Sequence, residues 1–287
     1  MNTYLLAIAV APAILLMFYV WSKDKSKEPF KMLVILVLLG VLSCIPAGFI
    51  EMLLDNIVLS VFGENNYVYF FVKAFFGVAL VEEGCKFLFM FLYTRNHKEF
   101  NGLFDGMIYA VFVSLGFAAF ENVFYVAEYG SQVAISRAFT AVPGHMFFAV
   151  FMGYSYSMWH TYRLCDKSEA YFANLHMIKP RPPKYKYKAH LAKAIIVPVL
   201  VHGFYDFCLF TENVYLCLFF YVFIAALYII CFGKIKKLSK RDMEDYLLIP
   251  RMLCMKYPEL IGIIIPREAN PLNMPNTFYQ NRQTVHK

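Results

Sequence analysis

Long apolar stretches alternate along the chain with short polar segments, and this pattern predicts membrane-spanning helices. A helix needs about 20 predominantly apolar residues to cross the hydrocarbon layer of a bilayer. Stretches of that length recur from one end of the chain towards the other. We therefore predict an all-α, polytopic transmembrane bundle of about seven spans, at residues 3–21, 32–54, 67–93, 103–127, 132–159, 191–211 and 213–233.

The composition supports the same class of protein. Hydrophobic residues make up 60% of the chain, 30 residues are phenylalanine, and the mean hydropathy is +0.52. A soluble domain of this length has too little interior to hide so many apolar side chains. The sequence thus predicts a multi-pass protein of the cell membrane, in contact with lipid.

The net charge of +7 reports topology and not a nucleic-acid partner. Lys and Arg crowd the segments after the first, third, fifth and seventh spans, whereas residues 55–67, 128–136 and 211–213 contain none. The positive-inside rule then places the N-terminus outside and the C-terminus in the cytoplasm. We divide the chain into a transmembrane bundle, residues 1–233, and a cytoplasmic tail, residues 234–287.

Eight ionisable residues lie within four of the predicted spans. A charge at bilayer depth costs roughly 2.5–3.5 kcal/mol on insertion scales, so such residues usually face the bundle interior and serve a function. Eight of them together predict one shared polar centre, made of Glu82, Glu83, Lys86, Glu121, Arg137, His145, His202 and Asp206.

The third span carries the densest charge. Lys86 lies one helical turn after both Glu82 and Glu83, so its ammonium can neutralise one of the two carboxylates. The other carboxylate is then available as a proton acceptor. Neighbouring residues on a helix point ~100° apart, so only one of the pair can face the centre fully, and we favour Glu82.

The next two spans add an acid, an amide and two bases. Glu121 stands beside Asn122 in the fourth span, and the fifth span carries Arg137 and His145, the latter directly after a Pro-Gly pair. By their distance along the helices, His145 falls near the middle of the membrane, whereas Glu121 and Arg137 lie closer to the outer face.

The sixth span places His202 and Asp206 on one helical face at a spacing of four residues. Together the four spans predict a water-filled cavity that opens towards the exterior. Two histidines, a carboxylate and trapped water are the components of a hydrolytic site. The same residue types also build proton relays in transporters, and a scaffold held together by intramembrane ion pairs is a third reading.

Four motifs in a fixed order resemble the PrsW family of intramembrane proteases. They are Glu-Glu-x-x-Lys at 82–86, Phe-x-x-x-Glu at 117–121, Arg137 with His145 and Gly153, and His-x-x-x-Asp at 202–206. In plan the chain is also similar to the CAAX prenyl endopeptidase and bacteriocin-immunity group. It departs from that group in having Lys86 where Arg is usual and Glu121 where His is usual.

The resemblance implies an intramembrane endopeptidase that makes the first cut in a single-span anti-sigma factor. In such regulated intramembrane proteolysis, a second intramembrane protease completes the release of a stress-response sigma factor. The alternatives that remain open are a CAAX-type or bacteriocin-immunity membrane protease and a proton-coupled transporter.

The predicted catalytic residues are Glu82, Glu83, Glu121, His145, His202 and Asp206, with Lys86, Arg137 and Asn122 in support. In this hypothesis Glu82, assisted by Glu121, removes a proton from the attacking water. His145 and His202 stabilise the oxyanion and protonate the leaving amine. Asp206 fixes the tautomer of His202.

The residues assign no cofactor firmly. An alternative has Zn²⁺ held by His145, His202 and Glu82, since imidazole and carboxylate are zinc ligands. The chain has no His-Glu-x-x-His helix, the motif that would support zinc directly.

Overall fold

The computed structural model describes residues 3–64, 66–179, 187–242, 248–260 and 263–264, and within them the regular secondary structure is helical. This confirms the predicted all-α class. The helices are α1 (Thr3–Lys23), α2 (Phe30–Phe62), α3 (Tyr67–Val72), a π-helical segment (Lys73–Ala79), α4 (Leu80–Thr94), α5 (Asp105–Tyr129), α6 (Ser131–Phe139), α7 (Ala141–Asn174), α8 (Tyr187–Phe210), α9 (Val214–Asp242) and α10 (Leu248–Lys256), followed by a 3₁₀ turn (Pro258–Leu260).

Six helical stretches of the described chain are long and apolar enough to cross a membrane: α1, α2, α5, α6 with α7, α8 and α9. The remaining predicted span, the third, at residues 67–93, is not a single α-helix. It consists of α3, the π-helical segment and α4, joined without a loop. A π-helix shifts the hydrogen-bonding register, and such segments occur frequently beside functional sites.

Several helices continue beyond the predicted span ends, because hydropathy reports the lipid-facing part of a helix and not its hydrogen bonding. The second span was predicted to end at residue 54, but α2 continues to Phe62 and ends at Gly63, whose φ is +68°. The fifth predicted span, residues 132–159, is divided at Thr140 into α6 and α7, and α7 continues to Asn174. The last helix runs to Asp242, past the predicted end at residue 233.

Helix α5 lies at the middle of the bundle, and its residues 105–118 are buried without interruption. Glycines let its neighbours approach closely. A Cβ on Gly40 of α2 would lie 2.0 Å from the Val113 carbonyl oxygen, and one on Gly153 of α7 would lie 2.5 Å from the Met107 Cα. Small residues at such crossings are typical of helix packing in membranes.

A group of aromatic rings, which we call the aromatic core, lies between α4, α7 and the residues that join α4 to α5. Its members are Phe87, Phe91, Phe100, Tyr156 and Trp159. The Tyr156 and Trp159 rings stack with centroids 5.4 Å apart and an angle of 9° between planes. The Tyr156 hydroxyl is hydrogen-bonded to the Thr94 hydroxyl at 2.8 Å, so the buried polar atom of this core has a partner.

Part of the predicted tail packs against the end of α7. Lys256 Nζ lies 2.6 Å from Glu169 Oε2, the Tyr257 hydroxyl donates to the same carboxylate, and Tyr257 is fully buried. Residues 265–287 of the predicted tail lie outside the described residues.

Candidate active site

The Lys86 ammonium stands at the middle of the buried charges. It lies 2.8 Å from Glu82 Oε2, 2.8 Å from Glu83 Oε1 and 3.1 Å from His145 Nδ1, and Lys86 is fully buried. It also sits over the Phe117 ring at 4.0 Å from the centroid. Lys86 thus contacts both neighbouring carboxylates and not only one, and it joins α4 to α7.

His145 lies in the first turns of α7, just after the break at Thr140. Its Nε2 is 2.9 Å from Glu121 Oε2, and the same oxygen is 3.0 Å from an Arg137 Nη. An ammonium can only donate, so Nδ1 of His145 accepts from Lys86, and Nε2 carries the proton and donates to Glu121. These contacts define His145 as a neutral imidazole with one fixed tautomer.

The second histidine has carboxylates on both sides. His202 Nδ1 is 3.1 Å from Glu83 Oε1, and Nε2 is 3.3 Å from Asp206 Oδ2. Flanked by two carboxylates, the ring is assigned as an imidazolium: Nδ1 donates to Glu83, and Nε2 forms an ion pair with Asp206. Phe148 stacks on the ring at 4.5 Å and fixes its plane. The two histidines therefore carry different charges.

Arg137 and Asn122 anchor the edge of this arrangement. Arg137 Nε donates to Asn122 Oδ1 at 2.8 Å, and Asn122 Nδ2 donates to the Ala9 carbonyl at 2.7 Å. The Arg137 guanidinium also lies 3.8 Å from the Tyr125 ring centroid. These contacts connect α1, α5 and α6, and they hold the cation beside Glu121.

The charged groups surround one cavity of about 750 Å³. We call them the polar centre, which comprises Glu82, Glu83, Lys86, Glu121, Arg137, His145, His202 and Asp206. Glu82 lines the cavity, whereas Glu83 and Lys86 lie behind its wall. The cavity extends to the ion pair between Asp55 and Lys73 (2.8 Å), near the loop that joins α2 to α3. In the predicted orientation that end of the bundle faces the exterior.

The structure brings all nine residues singled out from the sequence into one region. The two pairs predicted from helical spacing, Lys86 with its glutamates and His202 with Asp206, are present. Sequence reasoning missed Glu51, which lines the same cavity from α2. An acid within an apolar stretch was the available signal. It was overlooked because the second span was predicted to end three residues after Glu51, where the side chain would meet water.

Three residues could together hold a metal ion: Glu82, Glu83 and His145 offer ligand atoms within 4.8 Å of one another. Two carboxylates and an imidazole suit Zn²⁺ in kind. However, the Lys86 ammonium already contacts these three side chains, so a metal bound between them requires Lys86 to move away. His202 is not a member of this group, which therefore differs from the predicted zinc set.

Comparisons with known proteins agree with the four motifs. A family model described as PrsW family intramembrane metalloprotease matches residues 28–231. A Protease PrsW of Oceanobacillus iheyensis is 34% identical over 206 residues, which cover 71% of this chain and 82% of that relative. A Protease PrsW of Clostridioides difficile is 30% identical over 251 residues, covering 86% and 96%, respectively. No solved structure matches the chain.

Proposed function

Because the chain belongs to the PrsW family of intramembrane metalloproteases and is thus a multi-pass membrane peptidase, we propose that it makes the first cut in a single-span anti-sigma factor. In this proposal the polar centre is the catalytic site. Cleavage near the outer face of the membrane prepares the anti-sigma factor for a second protease, which releases a stress-response sigma factor.

One observation carries the assignment of the site. Two carboxylates, two imidazoles and a guanidinium from α4, α5, α6, α7 and α8 line a single cavity within the bundle: Glu82, Glu121, His145, His202 and Arg137. A peptide bond that enters this cavity meets a base, an acid and hydrogen-bond donors at once. Hydrolysis needs these three functions in one place.

Glu82 acts as the general base in this mechanism. It faces the cavity, and its contact with Lys86 fixes the direction of the carboxylate. It removes a proton from a water molecule as that water attacks the scissile carbonyl carbon, and Glu121 assists from the opposite wall. The base contributes typically 10²–10⁴-fold to such a reaction.

His202 acts as the general acid. The imidazolium, held between Glu83 and Asp206, has a proton to give to the leaving amine when the C–N bond breaks. Arg137 supplies N–H donors to the oxyanion that forms on the carbonyl oxygen, while the single N–H of His145 holds Glu121 in place. Lys86 and Arg137 contact the neighbouring carboxylates and fix their orientation.

A bound Zn²⁺ would be held by Glu82, Glu83 and His145, and it would supply an activated water at neutral pH. Strong chelator discriminates between the two versions. If cleavage by the purified protein continues at full rate in chelator, and elemental analysis finds no stoichiometric metal, the residues above act without zinc. Loss of cleavage that returns with added Zn²⁺ contradicts the metal-free version.

The substrate is tested by co-expressing the protein with candidate single-span anti-sigma factors and following fragment formation on gels. Glu82→Gln removes the base with little change in shape, and we expect it to lower the cleavage rate about 10²–10⁴-fold. Glu128→Gln is the matched control, because Glu128 is an exposed acid near the end of α5 and outside the cavity. This variant retains wild-type cleavage.

Two results would contradict the proposal. One is fragment formation by Glu82→Gln at the wild-type rate. The other is proton-coupled flux in proteoliposomes without cleavage of any candidate, which would assign the polar centre to transport.

A further inference from the structure

Five acidic residues line the cavity, and four of them have a basic partner. The pairs are Asp55 with Lys73 at 2.8 Å, Glu82 with Lys86 at 2.8 Å, Glu121 with Arg137 at 3.0 Å and Asp206 with His202 at 3.3 Å. Glu51 is the fifth. Its Oε1 is buried, and it has no hydrogen-bond partner in the part of the chain that the structure describes.

Glu51 belongs to the face of α2 that forms a wall of the cavity. Gly48, Glu51, Met52, Asp55 and Val58 follow one another at helical spacing along this face. Glu51 lies eleven residues before the end of α2 at Phe62, about 16 Å along the helix axis. It therefore sits deeper in the bundle than the Asp55–Lys73 pair.

A carboxylate at this depth without a partner is costly, and buried polar groups in proteins are almost always hydrogen-bonded. The residue does not belong to the group of Glu82, Glu83 and His145 that could hold a metal ion. The partner of Glu51 therefore comes from the contents of the cavity, which are water before a substrate enters and the substrate once it is bound. A cavity of about 750 Å³ has room for a short polypeptide segment.

We propose that Glu51 is a specificity-determining residue that binds a lysine or arginine side chain of the substrate. This inference rests on the proposed function, since it takes the occupant of the cavity to be a polypeptide. The charges support it: the polar centre holds four carboxylates and three cations (Lys86, Arg137 and the His202 imidazolium), and Glu51 adds a fifth carboxylate to the same space. A substrate cation reduces this excess of negative charge from two to one.

Binding to the full chain in lipid nanodiscs tests the inference without requiring cleavage. The probes are fluorescent single-span peptides with a leucine-alanine span of about 20 residues. One lysine is moved residue by residue through the outer half, and matched peptides carry norleucine or glutamate there. At one position we expect the lysine peptide to bind wild type at least roughly tenfold more tightly than its norleucine match.

Variants at Glu51 identify the partner of that lysine. Glu51→Gln is nearly isosteric, and it abolishes the lysine preference while leaving the affinity for norleucine peptides unchanged. Glu51→Lys reverses the preference towards the glutamate peptide. Glu128→Gln retains the wild-type preference. Elution of each variant as a single monodisperse species in detergent verifies that it is folded.

Three outcomes overturn the inference: equal affinity for lysine and norleucine at every position, a lysine preference that persists in Glu51→Gln, and no binding of any peptide. Cleavage is measured separately on the same peptides. A lysine preference without cleavage supports the role of Glu51 and counts against the proposed function. Cleavage without a lysine preference supports the proposed function and counts against the role of Glu51.

Discussion

Helices α4 and α7 each pass through two regions that bury their side chains by different means. In the polar centre, charges satisfy one another across helices, as Lys86 does with Glu83 and His145. In the aromatic core, which begins at the residue after Lys86, rings such as Tyr156 and Trp159 fill space by stacking. The polar centre thus depends on the presence of every partner. The aromatic core depends on shape, and so do the close helix contacts at Gly40 and Gly153, which we call the glycine crossings.

The largest difference between the two regions should appear when a central cation is removed. Lys86→Met leaves Glu82 without its counter-ion and Glu83 with His202 alone, and breaking a buried charge network costs about 3–5 kcal/mol. We expect cleavage to be abolished and the free energy of unfolding to fall by about that amount, measured by denaturant titration in detergent. Wild-type stability in this variant would show that the carboxylates do not need Lys86.

A shape change in the glycine crossings should have an intermediate effect. Gly153→Ala places a methyl group against the Met107 backbone, and overpacking of this kind costs typically about 1–3 kcal/mol. We expect a lower melting temperature, whereas cleavage per folded molecule falls far less than in Lys86→Met because every member of the polar centre is still present. Gly233→Ala is the control, since its Cβ would meet open space. Equal melting temperatures for the two variants would contradict the role of close packing.

The third prediction concerns an effect of pH at Glu28, an acid between α1 and α2 that accepts a hydrogen bond from Tyr109 at 3.0 Å. Burial, together with the nearby Asp105 carboxylate, raises the pKa of Glu28 to about 9. The folded protein therefore keeps a proton that the unfolded chain loses above its ordinary pKa of about 4.3. The stability from this group is complete at low pH and is lost as pH rises through about 9.

Glu28→Gln removes this titration. The melting temperature of wild type should fall more steeply than that of the variant between about pH 5 and 9. Identical slopes would show that Glu28 is already ionised in the folded protein. A positive result would sharpen the contrast between the regions, because acids of the polar centre are paired with cations whereas Glu28 is held neutral.

The parts of the molecule that the sequence predicts are those decided locally. Helical spacing alone places Lys86 beside its two glutamates and His202 beside Asp206. Contacts between helices, such as His202 with Glu83 and His145 with Lys86, depend on crossing geometry that hydropathy does not encode. The same limitation explains why Glu51 was missed, since its burial depends on where α2 ends.

Two further features, the π-helical segment and the helix break at Thr140, arise from backbone hydrogen bonding, so the pattern of apolar residues does not predict them. The π-helical segment at 73–79 continues an apolar stretch in which Lys73 is the one charged residue before Glu82. The break at Thr140 separates α6 from α7, so that Arg137 and His145 approach Glu121 from two different helices.

The long sequence separation between partners has a consequence for biosynthesis. Lys86 meets His145 59 residues later, and Glu83 meets His202 119 residues later. When α4 leaves the ribosome, its three charged side chains can pair only with one another, because their partners on α7 and α8 are not yet made. We therefore expect this segment to enter the lipid late and with help from downstream segments. In the proposed mechanism the nascent chain has no complete acid and base until α8 is inserted, so we expect it not to cut neighbouring membrane proteins before that point.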